Sequence, residues 1–333
     1  MIKTLQVFRL FLAGLLASLA LGAHAQLSIE ITGAGASRFP VIIPIFENEG
    51  RLPQSVTDVV RADLERSGLF TLIDTGPLPM PESVMPDLAA VRGRGADAVL
   101  TGSLIPLADG RYEARFRLFD AQKQQELGAM ALPMSPAQNR LVGHRIADFV
   151  YEKLTGLPGY FATRIAYVIK SGPNFELQVA DADGMNAATA LRSREPIISP
   201  AWSPDGTRLV LTSGPNSRPG IYVCSLAGGG LTRLSTGYGY AAEPRWNPVE
   251  TSLIVFTFQS SGLHLAVADL QSGAITPVPA TSATSFSRSS WCADGRHVVA
   301  TQSLNSLSWI AIVDTKTGKA TRLSDSKLGE CSQ

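Results

Sequence analysis

The chain has 333 residues and carries 29 lysines and arginines against 28 aspartates and glutamates, so its formal net charge is +1. Because this near-neutral balance includes no basic cluster, we predict no electrostatic binding of nucleic acid. Beyond the first 25 residues, no apolar run reaches the about 20 residues that a membrane-spanning helix needs, which argues against an integral membrane protein.

The first 25 residues have the pattern of a secretory signal peptide. Lys3 and Arg9 precede an unbroken run of 12 apolar and small residues at 10–21. The sequence Ala-His-Ala at 23–25 then predicts cleavage between Ala25 and Gln26. Cleavage removes two positive charges and no negative ones, which leaves 27 against 28 and a mature net charge of −1. We therefore expect a protein exported to a bacterial periplasm; a retained membrane anchor is the alternative, which the short apolar run disfavours.

Residues 26–157 show no repeat and predict an N-terminal α/β domain. An apolar helical face that ends at Gly68 indicates a helix at 53–67. Ser135, Pro136 and Gln138 offer an N-terminal cap for a second helix, which Gly156 ends. The predicted strands lie at 27–31, 41–46, 70–73, 98–107, 112–119 and 127–133.

The C-terminal half repeats with a nearly constant period. Trp202, Trp246 and Trp291 recur 44 and 45 residues apart, each at the start of a similar phrase. A period of about 40–45 residues built from strand-like units is typical of β-propeller blades. We predict a linker at 158–163 and an all-β propeller at 164–333, with about four blades near 164–199, 200–243, 244–288 and 289–333.

The repeated phrase predicts a tight turn with a structural role. Proline presets φ, aspartate can accept a hydrogen bond from the backbone ahead, and glycine adopts positive φ. We expect the tryptophans to pack between neighbouring sheets, whereas stacking on a ligand is the less favoured alternative. The residues given this structural role are Trp202, Pro204, Asp205, Gly206, Trp246, Trp291, Asp294 and Gly295.

The sequence contains no motif that predicts a catalytic, cofactor-binding or metal-binding residue. No Gly-x-Ser-x-Gly nucleophile elbow occurs, and His144, His264 and His297 are interpreted as surface or packed residues. The glycine-rich stretch 33–38 stops short of a dinucleotide fingerprint and is interpreted as a turn. The stretch 181–184 resembles a calcium loop but lacks the glutamate at the twelfth position, so it predicts a hairpin turn.

The cysteines Cys224, Cys292 and Cys331 form an odd number in an oxidising compartment. They fall in different parts of the repeats and lack the spacing of a zinc-binding pair. We interpret them as small buried apolar residues, with a structural bridge as the alternative.

Several long stretches of the chain resemble the TolB family, the periplasmic propeller proteins of the Tol-Pal system. They lie at 27–37, 61–70, 111–120, 145–156, 163–168 and 194–206. The resemblance implies an N-terminal α/β domain followed by a propeller, which in this family has six blades. About 170 residues follow Arg164, enough for roughly four repeats. Two alternatives follow: a truncated chain, which we favour because no complete closing strand is visible, or an unusual four-bladed ring.

The same resemblance implies a non-catalytic adaptor that supports outer-membrane integrity and cell division. The implied partners are the peptidoglycan-associated lipoprotein Pal, at the propeller face, and the C-terminal domain of TolA, at the first mature residues. The TolA-binding residues would then be Gln26, Leu27, Ile29 and Ile31, within 26–37. Their alternation with polar residues lets the segment pair as an added edge strand or complete the domain's own sheet. Two other hypotheses are an exported propeller enzyme of lyase or hydrolase type and a truncated paralogue that does not bind Pal.

Overall fold

The computed structural model of the protein describes residues 38–323 apart from residues 53, 75, 77, 78, 216, 217, 229, 235 and 281–283. The predicted signal peptide and its cleavage site, the strand at 27–31 and Cys331 lie outside the described residues. The predicted fold class is confirmed, because an α/β domain precedes a series of antiparallel four-stranded or three-stranded sheets.

The N-terminal domain is built on a five-stranded mixed sheet with the order β2-β1-β3-β4-β5. Strand β1 pairs in parallel with β2 and β3, whereas β3, β4 and β5 form an antiparallel meander. The strands are β1 (Phe39–Ile42), β2 (Phe70–Leu72), β3 (Ala98–Pro106), β4 (Tyr112–Asp120) and β5 (Gln125–Met134).

In the part of the chain that the structure describes, three α-helices accompany this sheet, and two of them correspond to the predicted helices. They are α1 (Val56–Arg66), α2 (Leu88–Gly93) and α3 (Asn139–Thr155), with 3-10 turns at Glu49–Arg51 and Pro136–Gln138. The Ser135 amide donates to Oε1 of Gln138 at 2.9 Å ahead of α3, and Gly156 closes that helix at φ 76°. Within the described residues, no helix combines the length and the apolar character needed to cross a membrane.

Two elements differ from the sequence-based expectations. Strand β1 ends at Ile42 rather than at residue 46, although Phe46 is still only 1% exposed. Phe46 is buried because its ring lies over Gly102 of β3, where an added Cβ would come within 2.4 Å of it.

The short helix α2 was not predicted. Its six residues are too few to show a helical period, and its signal was the cap at Asp87, which accepts from the Ala89 and Ala90 amides.

Helices α1 and α3 approach each other closely at Gly143. A Cβ added there would lie 2.7 Å from Cβ of Val59 and 3.2 Å from the carbonyl oxygen of Val56. Since Val59 and its neighbours are buried on the inner face of α1, neither helix can move away without opening the core. Position 143 therefore requires glycine because the two helices leave no room for a side chain, and not because its backbone adopts a positive φ.

Replacing Gly143 by alanine should lower the free energy of unfolding by about 1–3 kcal/mol through overpacking, despite the better helix propensity of alanine. Denaturant unfolding followed by far-UV circular dichroism measures the change. Gly93→Ala is the matched control, because its Cβ would meet nothing within 4 Å. That variant should be neutral or slightly more stable. Equal behaviour of the two variants would contradict the packing argument.

The described residues of the C-terminal part form four antiparallel sheets in chain order. The first has three strands and the other three have four, each in simple meander order. Their strands are β6 (Arg164–Ser171), β7 (Asn174–Asp181) and β8 (Ala188–Ser193); β9 (Ile197–Trp202), β10 (Arg208–Ser213), β11 (Gly220–Ser225) and β12 (Leu231–Arg233); β13 (Ala241–Trp246), β14 (Leu253–Gln259), β15 (Leu263–Asp269) and β16 (Ile275–Pro277); β17 (Ser285–Trp291), β18 (His297–Leu304), β19 (Leu307–Asp314) and β20 (Ala320–Arg322).

These sheets form consecutive propeller blades. The strand that carries each tryptophan is the first of its sheet, and it begins three or four residues before the expected blade boundary at 200, 244 or 289. First strands of neighbouring sheets contact one another, so they converge on a common axis. Among the described residues, no strand pairs the fourth sheet with the first, and the ring is not closed.

The apolar cores of this part lie between sheets rather than within one sheet. One cluster joins Val210 and Ile221 of the second sheet to Ile254 and Phe256 of the third. Equivalent clusters lie between the first and second sheets and between the third and fourth. Each blade therefore buries its apolar surface against its neighbours, as a propeller requires.

Candidate functional site

The turn at 203–206 closes the connection between β9 and β10. The Gly206 amide donates to the carbonyl oxygen of Ser203 at 2.9 Å, and Gly206 adopts φ 67°. Oδ1 of Asp205 accepts from the Ser203 hydroxyl at 2.6 Å and from the Thr207 amide at 3.0 Å. The Ser203 hydroxyl, followed by the Thr207 amide and hydroxyl, lowers the pKa of Asp205 to about 2. The carboxylate thus holds the turn together in its ionised form.

This depressed pKa predicts an acid-dependent contribution to stability. The ionised carboxylate stabilises the fold above the ordinary pKa of 3.8, and this contribution is lost as the pH falls toward about 2. Asp205→Asn should therefore flatten the decline of the melting temperature between pH 4 and pH 2. Thermal unfolding at a series of pH values measures it. An unchanged acid profile would show that Asp205 contributes nothing to this dependence.

The corresponding turns of the other two sheets use different residues. In the fourth sheet, Asp294 accepts from the Arg296 and His297 amides at 3.0 Å, and Gly295 adopts φ 66°. In the third sheet, Val249 stands at the aspartate position, and the turn is capped instead by Asn247, which follows the tryptophan directly and is fully buried. Its Nδ2 donates to the carbonyl oxygen of Gly295 at 2.7 Å, so it ties the turn of the third sheet to that of the fourth.

The tryptophans connect consecutive blades. Nε1 of Trp246 donates to the carbonyl oxygen of Ala201 at 3.2 Å, and Nε1 of Trp291 donates to that of Arg245 at 3.1 Å. In each case the acceptor is the residue that precedes the tryptophan of the previous sheet. The structure thus places these rings between sheets.

Arginine side chains of the preceding sheet cover two of these rings. The Arg164 guanidinium carbon lies 4.9 Å from the centre of the Trp202 ring, and that of Arg208 lies 4.7 Å from the Trp246 ring. Leu253 occupies the equivalent position before Trp291, and both residues line a cavity of about 460 Å³ between the third and fourth sheets. The cation–π contacts strengthen the first two blade junctions.

A row of strained residues lies on the first strands, and the sequence analysis did not identify it. Ser199, Glu243 and Arg288 adopt positive φ of 52°, 57° and 52° at β-bulges, with the same spacing as the tryptophans. The Glu243 amide donates to Oγ1 of Thr212 at 3.0 Å, and the Arg288 amide donates to Oε2 of Glu243 at 2.8 Å. Such strain in non-glycine residues is frequent at binding sites. The only sequence signal was their shared period.

A polar cluster lies between the two domains and consists of Asp63, Arg140, His144, Asp181 and Asp183. Nδ1 of His144 on α3 lies 2.5 Å from Oδ2 of Asp63 on α1, and these side chains are 2% and 1% exposed. Arg140 of α3 donates to Asp183 in the turn after β7, and its Nε lies 3.7 Å from Oδ2 of Asp181. The N-terminal domain is therefore held to the first propeller sheet by partly buried ion pairs.

The interdomain linker is also held by α3. Asp148 accepts from the Phe161 amide at 2.7 Å and from the Ala162 amide at 3.1 Å. Burial raises the pKa of Asp148, and these two hydrogen bonds oppose the rise only in part. Gly159 lies so close that an added Cβ would be 2.4 Å from Cα of Asp148. These contacts restrict the path by which the chain enters the propeller.

The remaining histidines and cysteines lie apart from this cluster. His297 contacts Asp294 at 2.5 Å on the propeller surface, whereas the His264 ring lies 5.7 Å from the Phe258 ring. Cys224 is buried and Cys292 is half-buried, and both are free thiols. Burial raises the pKa of both thiols, and Asp294 adds to the rise at Cys292.

Comparison with known proteins agrees with this two-part architecture. A family model described as the TolB amino-terminal domain matches residues 27–127, and one described as the TolB beta propeller domain matches residues 151–330. The chain is also similar to a crystal structure of TolB from Acinetobacter baumannii, with 27% identity and a TM-score of 0.50. That similarity covers 86% of this chain and 83% of the other.

Curated relatives show stronger sequence similarity over part of the chain. The Tol-Pal system protein TolB of Aromatoleum aromaticum is 71% identical over 222 residues, which are 67% of this chain and 52% of that protein. The protein of the same name from Azoarcus sp. is 73% identical over 199 residues, which are 60% of this chain and 47% of that protein. The chain thus spans about half the length of the curated relatives that it matches. From both domain matches and these relatives we conclude that the chain belongs to the TolB family.

Proposed function

We propose that the protein is a non-catalytic periplasmic adaptor of the Tol-Pal system. The observation that carries this proposal is the 71% identity to a Tol-Pal system protein over 222 residues. A propeller suits an adaptor because its converging first strands and loops offer a rigid concave surface to another protein. The signal-peptide pattern supports the periplasmic location. Support of outer-membrane integrity and of constriction during division follows from such a role.

The proposed Pal-binding surface is the axial end of the propeller. Ser199, Glu243 and Arg288 project from the first strands that converge there, and Arg288 is exposed. Their bulges interrupt the regular ladder and hold these residues in a fixed conformation, which reduces the entropy lost on binding. A protein partner with both acidic and basic groups fits this mixed surface.

The proposed TolA-binding segment is 26–37. The apolar residues Leu27, Ile29 and Ile31 alternate with polar residues such as Ser28. This pattern allows the segment to add as a strand to the edge of a partner's sheet. The sheet of the N-terminal domain ends in the short strand β2 on one side and the longer β5 on the other. As the alternative, segment 26–37 pairs with β2 or β5 at an edge of this sheet. Binding of TolA then requires the segment to leave that edge first.

Deletion of residues 26–37 from the mature chain should abolish binding of the TolA C-terminal domain, measured by isothermal titration calorimetry. The physical reason is loss of the main-chain hydrogen bonds and alternate side chains of the added strand. Binding of Pal to the same variant is the control and should persist, because the propeller is unchanged. Undiminished affinity for TolA would rule out this assignment.

A further inference from the structure

The buried histidine at the domain interface has one nitrogen that the surrounding contacts leave unexplained. Nδ1 of His144 lies 2.5 Å from a carboxylate oxygen of Asp63. A carboxylate only accepts, so the Nδ1 contact is a donated hydrogen bond and Nε2 is the ring atom that has still to find a partner. Among the described residues, this Nε2 is buried and has no hydrogen-bond partner.

The unpartnered nitrogen faces two further carboxylates. Nε2 lies 3.9 Å from Oδ2 of Asp181, and ligand atoms of His144, Asp181 and Asp183 all lie within 4.8 Å of one another. A ring nitrogen that faces carboxylate oxygens with little access to water is stable only with a cation between them, which is either a proton or a metal ion. Arg140 lies beside this group but donates to Asp183 and does not partner the histidine nitrogen.

We propose that His144, Asp181 and Asp183 bind one divalent transition-metal ion of the zinc class. One imidazole nitrogen with two carboxylate oxygens is a donor set that such ions accept. Metal-binding histidines usually donate their second ring N–H to a carboxylate, as His144 does to Asp63. Asp63 is itself fixed by Arg66 at 2.9 Å, so the orientation of the imidazole is set before an ion arrives.

The distances and charges fit such an ion. Metal–ligand bonds of about 2.0–2.1 Å in a tetrahedron separate the ligand atoms by about 3.3–3.4 Å. The 3.9 Å between His144 and Asp181 has to shorten slightly, and the wider separations of up to 4.8 Å have to close by side-chain rotation when the ion binds. Asp63, Asp181 and Asp183 face Arg66 and Arg140, and three carboxylates against two guanidiniums leave a charge of −1. A bound cation offsets this negative charge.

The proposed site joins the two domains. His144 belongs to α3 of the N-terminal domain, whereas Asp181 ends β7 and Asp183 lies in the turn that follows. An ion held by these three residues would fix the orientation of the N-terminal domain on the first propeller sheet. The metal would therefore stabilise a domain arrangement and need not take part in any reaction.

Isothermal titration calorimetry of the purified, chelator-treated chain with zinc chloride tests the proposal. We expect one saturable equivalent, a higher thermal unfolding midpoint with zinc, and slower proteolysis of the linker at 158–163. His144→Gln should abolish all three effects. Asp63→Asn should weaken zinc binding by about 10–100-fold because it loosens the histidine. Absence of saturable zinc binding to the wild-type chain would overturn the proposal. In that case a proton on Nε2 of His144, and not a metal ion, faces the carboxylates.

His297→Gln is the matched control. His297 also lies between two aspartates, 2.5 Å from Asp294 and 3.7 Å from Asp314, but its side chain is 35% exposed, whereas that of His144 is 2% exposed. This variant should bind zinc like the wild type. If binding is lost in His297→Gln and kept in His144→Gln, the proposed site is wrong. Should His144→Gln fail to fold, Asp181→Asn replaces it, because Asp181 is only half-buried at the edge of the site. This variant should also lose zinc binding, and retained binding would contradict the proposal.

Discussion

Replacing Trp246 by alanine should lower the free energy of unfolding by about 3–5 kcal/mol, as is usual for a buried large aromatic residue. The side chain is only 6% exposed and belongs to the core between the second and third sheets. Its loss would also remove the hydrogen bond to Ala201 and the contact with Arg208. Because blades are stable only against each other, we expect this junction to open first. Denaturant unfolding and native-state hydrogen exchange of β9 to β14 measure both effects.

Trp246→Phe separates the contribution of the buried apolar area from that of the hydrogen bond to Ala201. Phenylalanine keeps most of the apolar area but leaves the Ala201 carbonyl oxygen without its donor, so the loss should be about 1–3 kcal/mol. Trp309→Phe is the matched control, because Trp309 donates only to the side chain of Gln302 within its own sheet. A Trp246→Ala variant as stable as wild type would refute the structural role of the repeated tryptophan and favour a ligand-binding one.

Replacing Asp63 by alanine should lower the free energy of unfolding by about 3–5 kcal/mol, because it leaves a buried polar partner uncompensated. Asp63 is 1% exposed, and its two oxygens hold His144 and Arg66. Among the described residues, Asp63 supplies the one carboxylate within hydrogen-bonding distance of the His144 ring, since Asp181 lies 3.9 Å away. Thermal and denaturant unfolding near neutral pH measure the loss.

Glu65→Ala is the control for this variant. Glu65 lies on the same helix α1 but is exposed, so its removal should change stability by no more than about 0.5 kcal/mol. Combining Asp63→Ala with His144→Ala should cost less than the sum of the single changes, because the two residues are partners. Additive losses would show that the short contact between them does not contribute to stability.

Local patterns in the sequence were sufficient to predict most elements of the N-terminal domain. The helix predicted at 53–67 is observed at Val56–Arg66, and the strand predicted at 112–119 is observed at Tyr112–Asp120. These succeed because amphipathic periodicity and capping residues are local signals. The strand predicted at 41–46 was too long, because a continuous apolar run reports burial and does not distinguish a strand from a packed loop.

The sequence by itself determined the propeller repeats, since each copy carries the same tryptophan and turn residues and each must bury its apolar surface on the next. Only the tertiary structure decided how the copies are joined: Trp246 reaches Ala201, and Asn247 reaches Gly295, across sheets. It also decided that His144 meets Asp63 and Asp181. Contacts between residues distant in sequence depend on how elements pack, and no local period or spacing encodes them.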